Sequence, residues 1–240
     1  DSKTPLYFLI LSALLNVVLD LFFIMVLSWG VAGAAIATVI SQGVSGILCL
    51  VFLLTKVDIL KLKKEHFKLD PIGAKIQLNI GIPMALQFSI TAIGTMILQA
   101  ALNLLGSTVV ASYTAACKVH SLLTQGMVAM GQTMAVYSGQ NYGKGDAKRI
   151  RDGVKAALLI DVIYSVVSAV LVSLLLGVTL GLFFSGDVDL TVMMPWARTY
   201  ITICTLFYIP LSTIFIFRNT MQGCGYGFLP MMGGVVELVA

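Results

Sequence analysis

Residues 5–55 run PLYFLILSALLNVVLDLFFIMVLSWGVAGAAIATVISQGVSGILCLVFLLT, and Asp20 is their sole charged side chain. A helix crosses a bilayer with about 20 apolar residues. This stretch is too long for one crossing and the right length for two. Ser28-Trp29-Gly30 divides it, which predicts helices over roughly 5–27 and 31–54. Transmembrane strands alternate over about 9–11 residues, whereas these runs are continuously apolar, so strands are excluded.

The same pattern repeats outward. A polar connector, 56–75, carries six lysines and leads to an apolar region, uncharged from Ile76 to Cys117, that Leu105-Gly106-Ser107-Thr108 splits into spans of about 78–104 and 109–137. A second polar connector, Gly139 to Lys155, precedes a span over 156–182. The acidic turn Ser185-Gly186-Asp187-Val188-Asp189 precedes one over 191–216. Arg218 to Gly227 is expected to form a Gly-rich hairpin, after which Pro230 opens a seventh span cut short by the chain end. Of the 240 residues, 58% are hydrophobic and 11% charged, and the mean hydropathy is +0.97. Soluble domains hold about 45–50% apolar and about 25% charged residues. The fold class is therefore an all-α integral membrane protein, a polytopic helical bundle with about seven spans. The chain opens directly on an apolar run with no signal peptide and stops inside another, as a piece of a longer protein would.

Charge placement gives the orientation. Lys3, the lysines of 56–75, the basic residues of 144–155 and Arg218 fall on one side, thirteen of the fifteen Lys and Arg residues. Lys118 and Arg198 lie within spans. The positive-inside rule makes that side cytoplasmic, and Trp29 and Trp196 then sit at the outer interface. The net charge of +4 is thus a topology signal, and nucleic acid is not expected as a partner. Cys49, Cys117, Cys204 and Cys224 have no CxxC spacing and suggest neither zinc nor a disulfide framework.

Ionisable groups inside a bilayer cost about 2.5–3.5 kcal/mol each on insertion scales, so each needs a reason. Asn16 and Asp20, four residues apart, share one face of the first span. A carboxylate with an amide oxygen is a hard, oxygen-rich site suited to Na⁺ or a proton, to which Thr38 of the next span adds a hydroxyl. The alternative is a hydrogen-bonded cluster that only joins two helices. Gln87, Ser89, Thr91, Thr95 and Gln99 form a polar stripe on the third span, facing a cavity or a neighbouring helix. Lys118 and His120 on the fourth span line the same cavity or form internal pairs. Asp161 is placed near the inner interface, Arg198 near the outer rim, and Glu237 finds no charged partner in sequence. Pro83 and Pro210 are expected to kink their helices. The methionines at 127, 130 and 134, at 193 and 194, and at 231 and 232 form either packing or an adaptable ligand surface. No P-loop, HExxH, GxSxG or GxGxxG motif occurs, so an enzyme is not expected and no cofactor is called for.

Several stretches together resemble the multidrug and toxic compound extrusion (MATE) transporters, in the branch similar to the DinF proteins. They are Thr4-Pro5-Leu6-Tyr7, Leu15-Asn16-Val17-Val18-Leu19-Asp20, Gly30 to Thr38, Gly81-Ile82-Pro83-Met84, Gly139-Gln140-Asn141-Tyr142-Gly143 and Arg218-Asn219-Thr220-Met221-Gln222-Gly223. The resemblance implies twelve helices in two lobes. Residues 1–55 would be the last two helices of the first lobe, 56–75 the cytoplasmic linker, and 76–240 the first four helices and part of the fifth of the second lobe. It also implies a first-lobe cation site, to which Asn16, Asp20 and Thr38 correspond, with the first-helix acid lying outside this chain. Gln87, Ser89, Thr91, Gln99, Lys118 and His120 would line the second-lobe side of the substrate cavity. The function it implies is Na⁺- or H⁺-coupled antiport of amphipathic, cationic drugs or metabolites across the cytoplasmic membrane, by a monomer in the lipid bilayer. A lipid-linked oligosaccharide flippase of the same superfamily is the alternative within transport. A lipid-modifying membrane enzyme and a non-transporting assembly partner are those outside it.

Overall fold

Uninterrupted apolar sequence leaves the backbone no partner but itself, and helices satisfy every internal N–H and C=O. The computed structural model describes residues 3–57, 68, 70–183 and 190–239. Among these, all regular structure is helical: α1 (Lys3–Leu21), α2 (Gly30–Lys56), α3 (Pro71–Asn103), α4 (Ser107–Gly143), α5 (Ala147–Phe183), α6 (Leu190–Leu206), α7 (Tyr208–Gly223) and α8 (Phe228–Val239). The chain divides into two units, Asp1–Asp70 and Pro71–Ala240.

In the first unit, α1 passes directly into a π-helical turn, Phe22–Val26. Ser28 and Gly30, each at φ +54°, then reverse the chain into α2, and Phe23 stacks on Trp29 with ring centroids 5.2 Å apart. The buried face of α2 is Gly33, Ala37, Ser41 and Ser45. Four-residue spacing of small side chains lets two helix backbones approach closely. Hydroxyls finish the contact: Ser12 donates to the Ser41 carbonyl at 2.9 Å and Ser45 to the Phe8 carbonyl at 3.3 Å.

In the second unit α4 is the hub, packed against α5, α6 and α7, while α3 pairs chiefly with α8. The contacts His120–Tyr208, Gly131–Asn219 and Gly139–Gly223 advance in step, so α4 and α7 run parallel. Gly126–Tyr164 and Gly153–Tyr137 advance in opposite senses, so α5 is antiparallel to α4. Glycine is required at this crossing. A Cβ on Gly131 would lie 2.7 Å from Asn219 Nδ2, and one on Gly223 would collide with the Ala135 carbonyl. Met127 and Met134 are buried packing residues here, as is Met193 in α6.

Several expected boundaries shift. Pro71 to Lys75, read as linker, already belong to α3. The connector expected over 139–155 shrinks to a turn around Gly145 (φ +73°), because α4 runs to Gly143 and α5 starts at Ala147. Asp146 caps α5 by accepting from the Arg149 backbone N–H at 2.9 Å. Charged residues thus mark helix ends that project beyond the apolar layer, where the helix continues. Most of the hairpin expected over 218–227 is likewise the last part of α7. Pro83 leaves α3 one continuous element, whereas the expected sixth span is broken at Phe207 into α6 and α7, bent by 51°. Pro210 lies three residues past the break, where its missing N–H cannot tie the two halves together. The acidic turn expected at 185–189 lies outside the described residues.

Candidate functional site: polar groups within the apolar helices

The residues singled out on α1 and α2 come together. Asn16 Nδ2 donates to Thr38 Oγ1 at 3.3 Å, and Thr38 donates in turn to the Ala34 carbonyl at 2.9 Å. Asp20, one turn beyond Asn16, is half-buried, and its Oδ1 is sealed from solvent with no hydrogen-bond partner among the described residues. A buried carboxylate oxygen without a donor is costly. The arrangement therefore offers an acceptor to a proton or a small cation. Asp20 stands two residues before the start of the π-helical turn at Phe22, a local widening that recurs at functional sites.

The stripe on α3 separates into parts. Gln87 is buried at 4% exposure. Ser89, Thr91 and Thr95 donate to carbonyls of their own helix, Ala85, Gln87 and Ala92. Gln99 donates to Asn103 Oδ1 at 3.2 Å. Thr91 and Thr95 line a cavity of about 650 Å³ between α3 and α8 that Gly234, Glu237 and Leu238 complete. Ser89 and Gln99 are not in that lining.

Lys118 and His120 do not form a pair. They are two residues apart on a helix and so point to different sides. Lys118 is exposed. His120 turns into the bundle, its Nδ1 3.1 Å from Tyr208 Oη, with the Tyr200 ring beside it. Tyr208 is fully buried, and His120 is the partner of its hydroxyl. Lys118 and His120 are both absent from the α3–α8 cavity lining.

Glu237 does have a partner. Arg218 of α7 forms an ion pair with its carboxylate across the α7–α8 turn. With its amide oxygen turned toward Arg218, Gln87 accepts from Nη1 at 3.0 Å and Nε at 3.2 Å, and its other amide atom lies 3.3 Å from Gln222 Nε2. Arg218, placed by sequence in a solvated hairpin, is thus a bundle residue that ties α3, α7 and α8 together. The signal was present: Arg218 and Gln222 are four apart on one helix face, and an acid follows on the next helix. Asp161 is enclosed within the bundle. It is 2% exposed, and its Oδ2 and the Ser165 hydroxyl one turn on both lack partners among the described residues. Beyond the apolar layer, the half-buried Cys224 follows α7, and burial pushes its thiol up. No group of three or more His, Cys, Asp or Glu side chains with metal-binding geometry occurs among the described residues.

Residues 83–239 match the MatE family model. The chain is 34% identical over 154 residues to the probable multidrug resistance protein YpnP of Bacillus subtilis, covering 62% of this chain and 33% of that protein. It is 24% identical over 232 residues to the probable multidrug resistance protein YoeA of the same organism, covering 94% and 49%. Among solved structures, it is similar to the outward-facing conformation of a multidrug resistance MATE family transporter of the MOP superfamily. The TM-score is 0.86 at 22% identity, over 95% of this chain and 51% of that one, a likeness of fold. The chain spans about half the length or less of these relatives.

Proposed function

The chain belongs to the MatE family, and on that premise we propose that it forms part of a cation-coupled antiporter that exports amphipathic drugs or metabolites by alternating access. The observation that carries the coupling half of this reading is the buried, unpartnered Oδ1 of Asp20 beside the Asn16–Thr38 contact. A proton or Na⁺ bound there neutralises the carboxylate and biases the α1–α2 pair toward the conformation with weaker substrate affinity. Substrate and ion favour different states, so each drives the other off. Asn16 and Thr38 supply neutral oxygens of the kind Na⁺ accepts. The membrane is the cytoplasmic one, with Lys144 to Lys155 on the inner side, and the working unit is a monomer. The related multidrug resistance proteins support an efflux role. The oligosaccharide flippase reading has no support among these relatives.

The test uses the full-length protein in liposomes loaded with a fluorescent amphipathic dye. Efflux is followed under an imposed Na⁺ gradient and, separately, a proton gradient. Gradient-driven efflux that Asp20→Asn abolishes, at unchanged protein level and thermal stability, is the expected result and identifies the ion. Efflux that Asp20→Asn leaves intact sinks the coupling role of Asp20.

A further inference from the structure

Lys144, Lys148, Arg149, Arg151 and Lys155 cluster where α4 ends and α5 begins, with two acids, Asp146 and Asp152, among them. All five basic residues are exposed. Asp146 is committed to the cap of α5, where it accepts from the Arg149 backbone N–H. No ion pair among the described residues engages any of the five, so this end of α5 keeps its positive excess.

Helix geometry sorts them. Lys148, Arg151 and Lys155 recur at i, i+3 and i+7, which places them on one face. Arg149 lies about 100° around the helix from Lys148. The side of α5 that carries Gly153, Ala157 and Asp161 packs into the bundle. Ala157 and Asp161 are buried there, and a Cβ on Gly153 would collide with the Tyr137 ring. The basic face lies outside that contact and becomes apolar within one turn: Leu159, four residues past Lys155, is 64% exposed. A face that changes from basic to apolar in this way passes from the headgroup layer into the hydrocarbon. Lys148 to Lys155 covers about 10 Å of helix axis. The polar layer on one side of a bilayer is about 5–8 Å thick, and long basic side chains bend to reach it.

The ligand such a face fits is an anionic headgroup with acyl chains attached. Phosphodiester oxygens accept from guanidinium and ammonium groups in charge-assisted hydrogen bonds, and the N-terminal end of the α5 dipole adds positive charge of the same sign. The chains then lie along Leu159 and Val166, both exposed. A soluble anion meets the charges alone and gains nothing from the apolar continuation. We propose that Lys148, Arg151 and Lys155, with Lys144 in the preceding turn, bind anionic phospholipids of the cytoplasmic leaflet and anchor the inner end of α5 to them.

The test measures binding of phosphatidylglycerol and phosphatidylcholine, each with a fluorescent acyl chain, to the full-length protein in non-ionic detergent at low salt, by anisotropy. Wild type is expected to bind phosphatidylglycerol about 100-fold tighter, three residues at about fivefold each. The gap should narrow in about 1 M NaCl, where charges are screened within about 3 Å. Lys148→Gln, Arg151→Gln and Lys155→Gln should each weaken phosphatidylglycerol binding about fivefold and leave phosphatidylcholine unchanged. The triple variant should bind the two lipids equally. Arg149→Gln removes a charge from another face and should bind as wild type does. Arg151→Lys should do the same, which separates loss of charge from damage to the fold. A triple variant that keeps the preference overturns the proposal, as does Arg149→Gln losing as much as Arg151→Gln. Displacement of the probe by inorganic phosphate, beyond that by NaCl of equal ionic strength, also overturns it by assigning the stripe to a soluble anion.

Discussion

Asp20 in the first unit and Glu237 in the second are both carboxylates in otherwise apolar helices, yet their surroundings differ. Asp20 has a sealed oxygen and no donor, whereas Glu237 is paired to a guanidinium that Gln87 braces. An acid left open can take up and release an ion, because its charge is not already balanced. An acid that is paired has its charge balanced already and shapes instead the electrostatic character of the space it borders. Asp161 is a third case, open like Asp20 but enclosed in the helical core with a serine hydroxyl that is also unsatisfied.

The contrast can be broken most decisively at Asp20. Asp20→Asn should reduce gradient-driven efflux about 100-fold or more, as expected when a coupling group is lost, while Glu237→Gln should keep coupling and change only which dyes are moved. Equal loss of coupling in both variants would erase the distinction. Next in size is Arg218→Gln. Leaving Glu237 without its guanidinium should cost about 1–3 kcal/mol of stability, read as a lowered midpoint in thermal unfolding in detergent. An unchanged midpoint would mean that the pair contributes nothing to holding α7 and α8. Asp161→Asn should raise stability by about 1 kcal/mol, because an amide of the same shape replaces an unpaired buried carboxyl group, and should leave coupling intact. Abolished efflux in this variant would show that an open acid matters equally in either unit. The smallest effect concerns Cys224, at the turn where the helix of Arg218 ends. The thiolate is the reactive form, and a thiol pushed up by burial holds less of it at neutral pH. Maleimide labelling of Cys224 near pH 7 should be several-fold slower than that of a cysteine placed at Lys144, and the gap should close as pH rises through the raised pKa.

Much of the architecture was legible because apolar run length and charge placement are direct readouts of bilayer physics. The turns at Ser28-Trp29-Gly30 and Gly106 fell where apolar runs were punctuated by small residues, and the helices end there. Spacing put Asn16 and Asp20 on one face, with Thr38 of the next span as a further oxygen, and Asn16 and Thr38 do meet. What escaped was set by depth and by partner choice. Arg218 was read as part of a polar hairpin because positive residues cluster at helix ends, but its side chain pairs with Glu237 and Gln87 inside the bundle. His120 and Lys118 looked like a pair in the chain, yet 100° per residue separates them on the helix. The break at Phe207 was visible only as Pro210, and nothing in the composition distinguished it from Pro83, which α3 carries without interruption.

The central position of α4 has a consequence for how the protein is made. Helices α1, α2, α3 and α5 each include a stretch long and apolar enough to cross a bilayer alone, whereas α4 does not reach that threshold. Its serines, glycines and His120 are tolerated because α5, α6 and α7 surround them. A helix of this kind partitions poorly from the insertion machinery by itself. It becomes stable in lipid as its neighbours arrive, so membrane entry of α4 is coupled to the synthesis of the helices that follow it. Substitutions on the α4-facing sides of α5 and α7 would then appear first as reduced yield of correctly inserted protein, before any change in transport is measured.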